Sequence, residues 1–211
     1  MIYLFDSGVA TNSNYCKQYL SLGSNLEDLV GHGTSMASVI KQISPQSELI
    51  SIKLGDNNPS LQDIHQCLKF VDKDGIILFN ANFEFQYDVI DFENSLKILS
   101  KKHKIIVPAG NNARSIDHYS PARCDFVWTI GSLNKSRQPT KVTNTSGQKN
   151  IDFWAVSTNI KAFDISGQEV RIFGTSVAAA IAAALADKYH CKNKFELQLY
   201  IDQYNEAMSI N

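Results

Sequence analysis

Little in this chain runs to excess, and each shortage removes a class of protein. No apolar run approaches the roughly 20 residues a helix needs to cross a bilayer, so no membrane partner is expected. Lys and Arg total 20 against 21 Asp and Glu, a formal net charge of −1. Without a basic excess there is no electrostatic case for nucleic acid. Only four cysteines occur, Cys16, Cys67, Cys124 and Cys191, and none form a Cys-x-x-Cys pair. Scattered thiols read as a reduced set, and with no His-Glu-x-x-His there is no zinc-ligand spacing. No metal is expected. Nucleotide cofactors are not expected either: Gly31-His32-Gly33-Thr34-Ser35-Met36 carries two of the glycines of a dinucleotide fingerprint, and no phosphate-loop motif occurs. There is no Gly-x-Ser-x-Gly elbow of the α/β-hydrolases. Met1-Ile2-Tyr3-Leu4-Phe5 shows no basic segment, signal core or cleavage site, from which a cytoplasmic location is expected.

What is present is an alternation. Repeats, low-complexity tracts and linkers are missing, so residues 1–211 read as a single domain. Ile2–Phe5, Leu49–Leu54, Ile76–Phe79, Ile105–Val107 and Val127–Ile130 are short, continuously apolar runs, the pattern of strands buried on both faces of a parallel sheet. Helical patterns separate them: Thr34–Ile43, a Ser60-capped segment through Val71, Phe92–Lys101 and the Ala-rich Val177–Tyr189. Strands alternating with helices predict a doubly wound α/β fold, which binds ligands beyond the carboxyl ends of its strands. Asp6 and Asn111 fall at such ends.

Three short segments carry chemistry: Phe5-Asp6-Ser7-Gly8, Gly31-His32-Gly33-Thr34 and Gly174-Thr175-Ser176. Taken alone, Asp6 reads as a turn aspartate, His32 as a surface histidine and Ser176 as a helix N-cap. Taken together they supply a carboxylate, an imidazole and a hydroxyl, the groups that turn a serine into a nucleophile at neutral pH. Asp6 would fix the tautomer of His32, and His32 would accept the Ser176 proton and return it to a leaving amine. A serine at a helix start has backbone N–H groups beside it, which favour a developing oxyanion. In Val107-Pro108-Ala109-Gly110-Asn111 an apolar strand ends on an amide able to donate to that same oxygen.

These residues resemble the subtilisin-like serine proteases, whose triad runs in the same Asp…His…Ser order. The resemblance extends over roughly Met1–Tyr189 and includes Ser120-Pro121-Ala122 and Trp128-Thr129-Ile130-Gly131. It implies a three-layer fold with a mostly parallel central sheet flanked by helices. It also implies that Asp6 orients, His32 is the base, Ser176 attacks and Asn111 stabilises the oxyanion. A peptide or protein substrate would lie as an extended strand between Leu54-Gly55-Asp56 and Asn80-Ala81-Asn82-Phe83. Glu84 stands where the family has a glycine beside its primary specificity pocket.

The chain also departs from the family. Ser35-Met36-Ala37-Ser38 follows the His-Gly-Thr motif, Ala180 replaces a proline four residues after the serine, and Val156 replaces another. Lys41-Gln42-Ile43-Ser44-Pro45 leads directly toward the next strand, without the insertion that carries a calcium loop in many relatives. No propeptide is expected before Met1, so the chain would fold alone, fold with a separate folding or regulatory protein, or derive from a longer precursor. The expected function is a compact intracellular serine endopeptidase working through an acyl-enzyme on Ser176. The alternative is a retired fold of this type that binds proteins or peptides, for which Ser35, Glu84 and Ala180 are the support.

Overall fold

Side chains along the first strand, β1 (Ile2–Asp6), divide the core in two. Ile2 and Leu4 enter one apolar cluster and Tyr3 and Phe5 enter another, as period-two alternation requires. The computed structural model describes residues 1–55, 59–81, 83–84 and 89–210, without the side chains of Phe83, Glu84 and Ile210. After β1 come β2 (Gln18–Ser21), α1 (His32–Ile43), β3 (Leu49–Lys53), α2 (Leu61–Cys67), β4 (Ile76–Phe79), β5 (Phe83–Glu84) and α3 (Ile90–Leu99). The second half holds β6 (Lys104–Pro108), β7 (Tyr119–Ser120), β8 (Trp128–Leu133), β9 (Phe153–Val156), β10 (Ile160–Phe163), β11 (Glu169–Ile172), α4 (Thr175–Lys188) and α5 (Lys194–Ile210).

Seven strands form one sheet in the order β2-β3-β1-β4-β6-β8-β9, with every pairing parallel. Residues of α1, α4 and α5 join Ile2 and Leu4 on one face. Residues of α2 and α3 join Tyr3 and Phe5 on the other. This is the three-layer α/β architecture the sequence predicts. Two antiparallel pairs, β10–β11 and β5–β7, lie outside the main sheet.

Strand order places the site. The chain lays β3 on one side of β1 and β4 on the other, which makes the end of β1 a switch point. Leu54 N donates to Asp6 O at 2.8 Å and Asn80 N donates to Phe5 O at 3.0 Å, so both neighbours stay tied to β1 at its end. Opposite them, α4 runs through the core with Val177–Ala186 all buried. Its alanines let it pack closely on α1, β6 and β8.

Boundaries differ in two informative places. The Ser60 cap is formed, its Oγ accepting from Asp63 N at 3.1 Å, but regular helix stops at Cys67 and tightens into a 3₁₀ turn over Leu68–Phe70. The serine helix begins earlier than the alanine run suggested. Gly174 is its cap, and Ser176 lies inside the first turn rather than at the N-cap, so its hydroxyl has no capping duty.

Candidate active site

Asp6 is 5% exposed, yet its carboxylate has three donors. Oδ1 accepts from Ser7 N and from His32 Nδ1, both at 2.7 Å, and Oδ2 accepts from Asn80 Nδ2 at 3.0 Å. A buried carboxylate requires such partners to remain charged. With Nδ1 held by Asp6, the other nitrogen of His32 is left to accept a proton. The His32 side chain is 41% exposed. The Asp6 charge raises the His32 pKa above its ordinary value. Burial opposes the shift, and the Asp6 hydrogen bond and the Asp28 charge reinforce it.

Small residues make this approach possible. A Cβ on Gly33 would stand 2.0 Å from Gly8 O and 3.0 Å from the Asp6 Cβ, so only glycine lets α1 begin against the end of β1. Gly31 caps the helix at φ +86°, a left-handed conformation that favours glycine.

Asp28 belongs to none of the motifs legible in the sequence. It is 4% exposed and holds the histidine loop together. Its Oδ1 accepts from Ser7 Oγ, Val30 N and Gly31 N, and its Oδ2 from Thr34 N and Thr34 Oγ1. Ser7 Oγ in turn accepts from Gly33 N at 3.0 Å. The available signal was its position: an aspartate three to six residues before exposed helix-start N–H groups.

Asn111 is exposed in the loop after β6. Its Oδ1 accepts from Thr175 N at 3.0 Å and Thr175 Oγ1 at 3.2 Å, which turns Nδ2 outward as a donor. Thr175 Oγ1 also accepts from Gly110 N at 3.1 Å. Thr175 therefore locks the amide to the residue before the serine. Gly174, at φ +119°, leaves room for it, since a Cβ there would meet Asn111 Nδ2 at 3.2 Å. Asn144, fully buried and equally silent in the sequence, secures the rest of this loop. It receives Asn112 N and Arg114 N and donates to Ala109 O.

Ser176 is half-buried in the first turn of α4. His32 and Val177, its immediate successor, line one cavity of about 450 Å³. Among the described residues no hydrogen bond joins the Ser176 hydroxyl to the imidazole. Such bonds are commonly loose before a substrate tightens them.

The expected substrate edges are described only in part. Leu54 is 7% exposed, so it can offer a ligand its backbone but little side chain. Gly55 follows at φ +145°. Asn80 turns its side chain to Asp6 rather than outward, and Ala81 is half-buried. Phe83 and Glu84 form β5, paired with Ser120 and Tyr119. Asp56, Asn82 and the Glu84 side chain, with its pocket, lie outside the described residues.

No family model matches the chain. It is 26% identical over 196 residues to subtilisin-like protease 1 of Pseudogymnoascus destructans, covering 88% of this chain and 48% of that one. It is 23% identical over 198 residues to the thermophilic serine proteinase of Bacillus sp. (strain AK1), covering 86% and 48%. Its relatives are subtilisin-like proteases. A cold-adapted subtilisin-like serine proteinase superposes with a TM-score of 0.78 at 21% identity, over 96% of this chain and 80% of that one. The prenylagaramide maturation protease PagA gives 0.74 at 18%, over 95% and 76%. The fold is therefore subtilisin-like. The chain spans about half the length of the first curated relatives it matches.

Proposed function

We propose that the chain is a serine endopeptidase. Ser176 Oγ attacks a peptide carbonyl as His32 takes its proton. Asn111 Nδ2 and backbone N–H groups at the start of α4 receive the oxyanion, and His32 then protonates the leaving amine. Water activated at His32 hydrolyses the ester. Asp6 keeps the imidazole in the required tautomer throughout. The observation that carries this reading is the 2.7 Å Asp6–His32 pair; Val177, the residue after Ser176, lines the same cavity as His32.

The substrate is a peptide or protein segment bound in extended form along Leu54–Gly55 and the chain following Asn80. The cytoplasm is the compartment that suits the four free cysteines. A fluorophosphonate probe tests the chemistry. It is expected to label Ser176, and the chain is expected to cut a mixed peptide library. Ser176→Ala should abolish labelling and lower kcat by about six orders of magnitude. A wild-type chain that binds peptides without cleaving them or taking the probe would favour the binding-module reading and defeat this one.

A further inference from the structure

Phe173 is 68% exposed and Val30 59% exposed, although both side chains are large and apolar. Phe173 stands three residues before Ser176, and Val30 two before His32. A single exposed apolar side chain is ordinary, but these two line the same cavity, the one of about 450 Å³ that also meets His32. Met36 and Val177 are buried against it, and half-buried Val170 and Ile172 of β11 continue its apolar wall. Two charged residues also reach it, and both already hold hydrogen-bond partners. Asp164 Oδ1 accepts from Ser166 N, Ser166 Oγ and Gln168 N. The Arg171 guanidinium donates to Glu169 Oε1 at 3.0 Å and to Asn159 O at 3.4 Å. Such a lining gains most from burying an uncharged apolar group.

Position assigns the occupant. The acyl half of a substrate is expected along Leu54–Gly55 and the chain after Asn80, at the ends of the strands on either side of β1. Among the described residues, neither edge lines this cavity. Its walls are the starts of α1 and α4 and the β10–β11 hairpin. What it has in common with the site is His32, the group that hands a proton to the leaving amine. The leaving half of the substrate therefore belongs here.

We propose that this cavity takes the residue immediately after the scissile bond and selects a bulky, uncharged apolar side chain there, with Phe173 and Val30 as the specificity-determining residues. This rests on the protease reading and deepens it by naming the substrate class.

The experiment reads the leaving side alone. An ester substrate acylates Ser176, and amino-acid amides then compete with water for the acyl-enzyme. The amine nitrogen bonds to the acyl carbon, the bond to Ser176 Oγ breaks, and His32 passes the proton lost by the amine to that oxygen. Amide and acid products arise from one common intermediate, so their ratio does not depend on how fast the ester is cleaved. Leucinamide and phenylalaninamide should capture the acyl group about tenfold better than glycinamide, the scale set by an apolar side chain in a hydrophobic pocket. The α-amide of aspartate and lysinamide should do no better than glycinamide. Phe173→Ser and Val30→Ser should each lower the leucinamide-to-glycinamide ratio by about threefold, and Phe173→Leu should keep it. Equal capture of leucinamide and glycinamide, a preference for the aspartate amide, or a ratio unmoved when Phe173→Ser and Val30→Ser are combined would overturn the proposal and leave the protease reading standing. An ester that forms no acyl-enzyme, on a chain that also refuses the fluorophosphonate, would overturn both.

Discussion

The two oxygens of the Asp6 carboxylate do different things. Oδ1 faces the imidazole, and Oδ2 is held by the Asn80 amide. Because the Asp6 charge raises the His32 pKa, less acid is needed to protonate the ring and more base to free it. The acid limb of kcat/KM is therefore expected above the ordinary value of about 6.5. Asn80→Ala removes a donor from Oδ2 and leaves more carboxylate charge facing the ring, so that limb should move to still higher pH. A modest fall in kcat, about tenfold, should accompany it. A pH–rate profile checks both, and a limb unmoved by Asn80→Ala would reduce Asn80 to packing. The family resemblance made the triad residues legible. It did not reveal Asn80's bond to Asp6, because nothing along the chain says which way a side chain turns at the end of a strand.

At the scale of elements, the start of α1 depends on two glycines for different reasons. Gly33 faces a wall: a Cβ would fall 2.0 Å from Gly8 O. Gly33→Ala should therefore cost about 3 kcal/mol or more and abolish activity by pushing His32 from Asp6. A Cβ on Gly31 would meet Ile165 Cγ2 at an ordinary contact distance of 3.6 Å, and only its φ of +86° resists a side chain. Gly31→Ala should cost about 1 kcal/mol. Chemical denaturation separates the two, and equal costs would contradict the packing argument. The sequence marked both glycines as chemically placed. Which of them is jammed and which is merely twisted follows from the meeting of α1 with β1. The opposite error occurred at α4, where alanine propensity set the expected start too late. Gly174 and Thr175 begin the helix because Asn111 receives the Thr175 N–H, a long-range bond that local propensity cannot register.

Across the whole molecule, buried titratable groups set the pH range of stability. Burial pushes the thiols of Cys16 and Cys124 up to about 12 and that of Cys67 to about 11. A raised thiol pKa contributes stability below its unfolded value and loses it as pH rises through the folded one. Burial also works to raise Asp28 and Glu93, but hydrogen bonds to Asp28, led by Thr34, and Arg123 beside Glu93 outweigh it. Both carboxyls are left below their ordinary values. Their contribution is present above the ordinary carboxylate range and lost as pH falls through the folded values. The melting midpoint should thus decline on both sides of neutrality. At pH 8 the thiols should resist Ellman's reagent in the native protein and all react once it is unfolded. Rapid native labelling of Cys67 or Cys124 would refute the packing described for them.

Periodicity and composition alone were enough to fix the parallel α/β class, because apolar runs without alternation can be buried only between two helical layers. The short motifs and the family resemblance marked the carboxylate, imidazole, hydroxyl and amide at strand ends and helix starts. Tertiary structure decided the rest: Asp28 as the knot of the histidine loop, Thr175 as the lock on Asn111, and Asn144 behind it. Each acts on groups distant in the chain or on backbone atoms that every residue shares. A one-dimensional pattern records which residues are apolar or special, whereas buried polar groups find their partners only when the chain closes on itself.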